Sequence, residues 1–264
     1  MGKDQTGNRQ QMNDLAPDLS IIIPAFNEEK RLPRALGLLR NYFASAKVSA
    51  GEIEILVVDD GSTDGTARIT EEWARQMPVI RLVSNGTNRG KGYSVKHGML
   101  EARGRIALFT DADLSSSIEE SEKLLAAIRN GNDVAIGSRA LDRSLIAVRQ
   151  ARLRELAGII FNGFVRLFTS LPFHDTQCGF KAFVREPSRI VFEQQRIEGF
   201  GFDPEILFLA KRHGLRTAEV PVRWAHDPAS KVHVIYDSMR MFGDLIYLRW
   251  NWLLGRYPTQ AVKR

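Results

Sequence analysis

Residues 108–116 read "LFTDADLSS". An apolar run ends here on two carboxylates, Asp111 and Asp113, one residue apart. In an extended segment, side chains at i and i+2 share a face, so these two charges repel each other. A positive centre is therefore expected between them. Just downstream, Ser116 and Glu119 have capping-box spacing and predict the start of a helix. The acidic pair thus lies where a strand gives way to a helix, the edge at which open α/β sheets bind ligands.

The same alternation extends on both sides of this stretch. "LSIIIPAF" (19–26) precedes "EEKRLPRALGLLRNYF" (28–43), and "EIEILVVDD" (52–60) precedes "DGTARITEEWARQ" (64–76). "VIRLVS" (79–84) leads to "GYSVKHGMLEARG" (92–104), and "RIALFTDAD" (105–113) to "IEESEKLLAAIRNG" (118–131) and "DVAIGSR" (133–139). Strand-length apolar runs alternating with helical periods predict an α/β fold with a mostly parallel central sheet flanked by helices. Beyond residue 140 the alternation stops. A helix is predicted over 150–170, with Arg154, Gly158, Asn162 and Arg166 four apart. Further helices are predicted over 203–213 and 234–254, with a strand in "RTAEVPVRW" (216–224) between them. In the last helix Asp237, Arg240, Asp244 and Asn251 share one face, and Ile235, Met239, Phe242, Ile246, Trp250 and Leu253 the other. Such a stripe suits docking onto the helix's own domain. The aromatic and basic content of "YLRWNWLLGRY" favours a membrane interface instead.

Composition sets the outer bounds. The chain has 264 residues, 44% hydrophobic, enough for one large domain. The boundaries expected are a flexible tail over 1–18, one large α/β domain over 19–233, and an amphipathic membrane-interface helix with its tail over 234–264. The tail has no apolar core of the kind a signal peptide needs. A single cysteine, Cys178, excludes an internal disulfide and fits a reducing compartment. A net charge of +6 favours an anionic partner. No apolar run is long enough to span a bilayer. The expectation is a cytoplasmic protein, peripheral at the cytoplasmic membrane face.

The chemistry-bearing residues are acidic. A nicotinamide-binding domain would show G-x-G-x-x-G after the first strand, whereas this chain shows "PAFNEE". Glu28 follows the first strand, Asp59 and Asp60 the second, and Asp111 and Asp113 the fourth. In a parallel sheet these meet at one rim. Because neighbouring strand residues point oppositely, one of Asp59 and Asp60 faces the ligand and the other serves the turn. Hard oxygen ligands suit Mg2+ or Mn2+ shared with substrate phosphates, and such a cation supplies the positive centre that Asp111 and Asp113 lack. The five histidines are scattered without metal or triad spacing.

The segments "PAFNE" (24–28), "VVDDGSTDGT" (57–66), "NRGKG" (88–92), "DADLS" (111–115), "GSR" (137–139), "DTQCGFK" (175–181), "GFGFDPEIL" (199–207) and "VPVRWAHDPASKV" (220–232) occur in an order that resembles glycosyltransferase family 2. The resemblance is strongest to its polyprenyl-phosphate branch, the dolichyl-phosphate glucosyl- and mannosyltransferases, and covers roughly residues 19 to 257. It implies a GT-A fold with C-terminal amphipathic helices. It also implies inverting, metal-dependent transfer of a hexose from a nucleotide-sugar donor to a polyprenyl-phosphate acceptor. By the same resemblance Pro24, Phe26 and Glu28 line the nucleoside pocket and Asp60 reaches the base, with Asp59 beside it among the donor-binding residues. Asp111, Ala112, Asp113, Arg139 and Lys231 serve the donor phosphates, and Asp111 and Asp113 also hold the metal. Arg154, Gly158, Asn162 and Lys181 would receive the acceptor phosphate, and Asp111, Asp113 and Arg139 would form the catalytic set. The chain has Gly158 and Ser115 where mannosyl-type enzymes tend to have Ser and Gln, and "PASKV" with "FGDLIYLRWNWLLG" sits closer to the glucosyl type. Glucose from UDP-glucose is therefore the leading expectation, with mannose from GDP-mannose beside it. Transfer to a sugar hydroxyl, with Asp203 or Glu205 as base, is a further reading, as is a nucleotide-sugar-binding protein without catalysis. A nucleic-acid partner is not expected, because acidic clusters at the rim repel a polyanion.

Overall fold

A computed structural model describes residues 17–46, 52–148, 152–225 and 234–258. Its centre is a seven-stranded sheet formed by β1 (Leu19–Ala25), β2 (Ile53–Asp59), β3 (Ile80–Ser84), β4 (Ile106–Phe109), β5 (Val134–Ser138), β7 (Lys181–Val184) and β8 (Thr217–Pro221). The strand order is β3-β2-β1-β4-β7-β5-β8. All neighbours pair in parallel except at β7, which runs antiparallel to both β4 and β5. A small second sheet pairs β6 (Ile146–Val148) with β9 (Trp224–Ala225). The expected mostly parallel sheet is present. Strand β7 was invisible in the alternation: it is short, and the chain enters it from the rim after a long excursion.

The central strands read as continuous apolar runs because helices cover both faces of the sheet. Ile21, Ile23, Ile55 and Val57 face one layer, packing on α1 (Leu32–Ser45), α2 (Thr66–Gln76) and α4 (Ser121–Arg129). Ile22, Leu56, Val58 and Phe109 face the other, against α3 (Lys91–Glu101), α5 (Arg152–Thr169), α6 (Arg185–Gln194) and α7 (Phe202–Arg212). The last helix, α8 (Val234–Leu253), belongs to this second layer through Leu245 and Leu248. These two leucines pack it into the body of the domain, while other positions on it stay exposed. Its Phe242 packs edge-on against Phe164 and Phe168 of α5, with ring centroids 5.1 and 6.0 Å apart.

Strand β4 stops at Phe109, so the DAD segment lies in the loop just past the strand end, as expected, but bends into a turn where an extended backbone was assumed. The expected capping box does not form. A 3-10 turn over Ile118–Glu120 precedes α4, and Ser117, at its N-terminal end, makes no side-chain capping hydrogen bond.

Candidate active site

The loops after β1 and β2 are joined into one surface. Asn27 N–H donates to Ser62 Oγ (2.9 Å), Thr63 N–H to Asn27 Oδ1 (2.8 Å), Glu28 N–H to Thr66 Oγ1 (2.8 Å) and Gly65 N–H to Glu29 Oε2 (2.9 Å). Asn27 takes a left-handed backbone (φ 54°), which asparagine tolerates better than most residues. This bend leaves Phe26 exposed at the rim while Glu28 turns inward to Arg31, whose Nε donates to Glu28 Oε2 at 2.5 Å.

The second acidic cluster divides as adjacent strand residues must. Asp59 takes the turn, its Oδ1 accepting from Ser62 N–H (3.2 Å). Asp60 faces the other way and organises the segment that leads into α3. Its Oδ1 accepts from Asn85 Nδ2 (2.7 Å) and Arg89 N–H (3.0 Å), and its Oδ2 from Gly90 N–H (2.8 Å). Asp60 is therefore both a cavity residue and the clamp of the 85–90 loop.

Asp111 and Asp113 lie on a turn closed by Leu114 N–H donating to Asp111 O (3.0 Å) and Ser115 N–H donating to Asp113 Oδ1 (2.9 Å). Leu114 has φ 49°, a left-handed backbone that is strained for a leucine. Both carboxylates line the cavity. Burial, then the charge of Asp111, pushes the Asp113 carboxyl above its ordinary value. The positive partner is Lys91, whose Nζ lies 2.5 Å from Asp111 Oδ1. Burial works against its charge, but Asp111, Asp203 and Asp113 outweigh it and hold the ammonium above its usual value. No periodicity or spacing in the sequence marks Lys91 for this role. The available signal was "NRGKG", whose glycines bring the start of α3 close to its neighbours: a Cβ at Gly92 would lie 2.6 Å from Ile197 O.

Arg139 stands apart from the cavity lining. Its backbone N–H and Nε donate to Asp175 Oδ2 (3.0 and 2.6 Å), a terminal guanidinium nitrogen donates to Oδ1 (2.9 Å), and its guanidinium carbon lies 5.4 Å from the Trp224 ring centroid. Burial alone would push Asp175 up, but the Arg139 charge and these hydrogen bonds hold its carboxyl down at about 2. Lys181 departs further from expectation. It is fully buried, donating to Cys178 O (2.6 Å) and to Asp203, because antiparallel β7 places it beneath the rim. A free phosphate cannot reach it there. Glu205 is buried as well, accepting from Arg196 N–H (3.0 Å), Ile197 N–H (2.8 Å) and Tyr257 OH (2.6 Å). Neither Asp203 nor Glu205 is available as a base. Burial pushes the Cys178 thiol to about 11, as suits a packing residue.

Of the acceptor candidates on α5, Gly158 is exposed, and a Cβ there would meet nothing within 4 Å. Asn162 instead holds the next loop, its Nδ2 donating to His174 O (2.7 Å). Arg154 lies on α5 with its side chain outside the described residues, and Lys231 and the "PASKV" segment lie wholly outside them.

The assembled rim encloses a cavity of about 450 Å³. It is lined by Pro24, Phe26 and Glu28, by Asp60 and Lys91, and by Asp111, Ala112 and Asp113. Gly199 and Phe200 with Arg240, Met241 and Asp244 of α8 line it as well, residues with no site role expected from the sequence. Among the described residues no three His, Cys, Asp or Glu side chains cluster to hold a metal. Two carboxylates in one cavity, the second disfavoured as an anion, fit a hard divalent cation that takes its other ligands from phosphate and water.

Comparison with known proteins agrees with this geometry. The family model for glycosyl transferase family 2 matches residues 20–190. Dolichyl-phosphate beta-glucosyltransferase of Dictyostelium discoideum is 37% identical over 253 residues, covering 92% of this chain and 77% of its own. The Saccharomyces cerevisiae enzyme of that name is 35% identical (90% and 76% covered), and the human one 31% (93% and 79%). Among solved structures, glucosyl-3-phosphoglycerate synthase from Mycobacterium tuberculosis with Mn2+, uridine diphosphate and glucosyl-3-phosphoglycerate superimposes with a TM-score of 0.63. It is 19% identical, with 98% of this chain and 86% of that chain covered. The same enzyme with Mg2+ and uridine diphosphate gives a TM-score of 0.60 at 19% identity, covering 98% and 86%. The fold is GT-A.

Proposed function

The chain belongs to glycosyltransferase family 2, and from that premise we propose that it transfers glucose, with inversion, from UDP-glucose to a polyprenyl phosphate of the dolichyl type. The observation that carries this reading is the cavity itself, with Asp111, Asp113 and Lys91 placed together beneath the loops of β1 and β2. The names of the relatives supply the substrate class.

The residues divide the work by chemistry. Phe26 and the 24–28 loop offer an apolar face to a nucleoside, and Asp60 keeps that side of the cavity in shape. Lys91 brings a permanent positive charge to where a departing diphosphate accumulates negative charge. Asp111 and Asp113 would hold Mg2+ or Mn2+, and when bound such an ion neutralises the diphosphate as a Lewis acid. A phosphate acceptor needs no general base, since its second pKa near 6 leaves it largely ionised at pH 7. The burial of Asp203 and Glu205 supports that acceptor over a sugar hydroxyl, whose attack would need one.

The acceptor also calls for a lipid surface. Met239 (72% exposed), Ile246 and Trp250 (60%) on α8, with Ile159, Ile160 and Leu167 (74%) on α5, form apolar stripes on either side of the Phe164–Phe242 contact. No described helix is long and apolar enough to cross a membrane. Peripheral attachment at the cytoplasmic face through these stripes is our reading, with Arg154 and Gly158 at the lipid end of α5. The test is incubation with a panel of nucleotide sugars and polyprenyl phosphate, with the glycolipid identified by mass. Glucose from UDP-glucose is expected. A mannosyl product from GDP-mannose would correct the sugar, and absence of any glycolipid would overturn the acceptor.

A further inference from the structure

Four cations line the cavity: Arg31, Arg89, Lys91 and Arg240. Three are ion-paired. Arg31 is held by Glu28 at 2.5 Å, Lys91 by Asp111 at 2.5 Å, and Arg89 by Glu198 while its guanidinium carbon sits 3.4 Å from the Tyr93 ring centroid. Arg240 makes no ion pair within 4 Å among the described residues, and its one acidic neighbour is Asp244, a helical turn on, whose carboxylate feels its charge. It is exposed on α8 at the cavity wall and reaches over the 199–201 loop, where a Cβ at Gly199 would lie 3.9 Å from its Nε.

The other faces of α8 give this exposed guanidinium a direction. Leu245 and Leu248 hold the helix in the core, and Met241 and Asp244 join Arg240 on the cavity wall. The neighbouring face is apolar and open: Met239, Gly243, Ile246 and Trp250 are exposed, and a Cβ at Gly243 would meet nothing within 4 Å. Residues 239, 243, 246 and 250 recur at helical spacing and form one stripe. Consecutive residues differ by about 100° around a helix, so Arg240 lies at the seam between stripe and cavity. A molecule with an apolar tail along the stripe would bring its headgroup to Arg240. We infer that Arg240 is the cation that receives the anionic head of an isoprenoid phosphate as it passes from the lipid surface into the cavity. This rests on the polyprenyl-phosphate reading above and assigns the entrance of the site to α8.

The experiment compares wild type, Arg240→Gln and Arg240→Lys by calorimetric titration with geranyl phosphate and, separately, with UDP, Mn2+ being present throughout. A charge-assisted contact predicts that Arg240→Gln binds geranyl phosphate roughly tenfold to hundredfold more weakly, while UDP affinity stays within about twofold. Arg240→Lys, which keeps the charge, should recover much of the loss. Two results would overturn the assignment: equal geranyl phosphate affinity in wild type and Arg240→Gln, or an equal loss for UDP, which would move Arg240 to the donor diphosphate. If wild type binds UDP but not geranyl phosphate, the acceptor reading itself fails, and the role of Arg240 with it.

Discussion

Gly179 limits where Asp111 can be. A Cβ built at this position would lie 2.8 Å from Asp111 Cγ and 3.0 Å from Oδ1, with Oδ2 closer still. Carbon atoms in contact sit about 3.5–4.0 Å apart, so Gly179→Ala must displace the carboxylate by about 1 Å. The open direction is the cavity, because the Asp111 side chain is 35% exposed on that side. The cost in stability should therefore lie near the low end of overpacking, about 1 kcal/mol. The cost in rate should be larger: misplacing a group by about 1 Å at a reacting centre costs on the order of 100-fold. The same shift disturbs the Lys91–Asp111 contact, which is 2.5 Å in the native arrangement. The assay is transfer of labelled glucose from UDP-glucose to a polyprenyl phosphate, run beside a urea unfolding curve. A native-like midpoint with kcat down by about two orders is expected. Wild-type kcat in Gly179→Ala would refute the idea that the position of Asp111 is set by its contact with the 178–181 segment.

Asp113→Ala should abolish transfer with little or no loss in the unfolding midpoint, since it removes a carboxylate that burial and Asp111 disfavour; turnover in excess chelator would sink the metal assignment. Asp175 titrates at about 2, below its unfolded value near 3.9, so its pairing with Arg139 contributes stability above pH 4 that disappears as pH falls toward 2. The size is about 2 kcal/mol; urea midpoints of wild type and Asp175→Asn should converge below pH 4, and curves that stay parallel would count against the pairing. Trp250→Glu should weaken binding to anionic vesicles by roughly tenfold or more without changing the midpoint, as the residue is exposed and its ring is worth about 1.5–3 kcal/mol when buried. Vesicle binding equal to wild type at low ionic strength would remove α8 from the interface.

What the sequence determined by itself was periodic or local. Apolar runs such as "SIIIPA" and "EILVVD" can be satisfied only between two helical layers, so the parallel half of the sheet and its ligand-bearing rim were legible. Alternation along β2 also required Asp59 and Asp60 to part, and the fold shows which is which: Asp59 holds the turn and Asp60 the 85–90 loop. The acidic pair was legible as needing a cation. That Lys91 meets Asp111 depends on how α3 packs beside β4, a contact between segments 20 residues apart. Lys181 shows the limit most plainly. Its motif suggested an anion contact, but the antiparallel entry of β7 buries it against Asp203, and strand direction is a property of the whole chain path. The stripe of α8 was read from its period; Met239, Ile246, Trp250 and Leu253 of it are exposed, whereas Phe242 packs against α5 and Asn251, expected on the polar face, is fully buried. That the adjacent face of the same helix walls the cavity with Arg240 and Asp244 was settled only by packing on α5 and α7, because periodicity gives the angles between side chains but not what each angle faces.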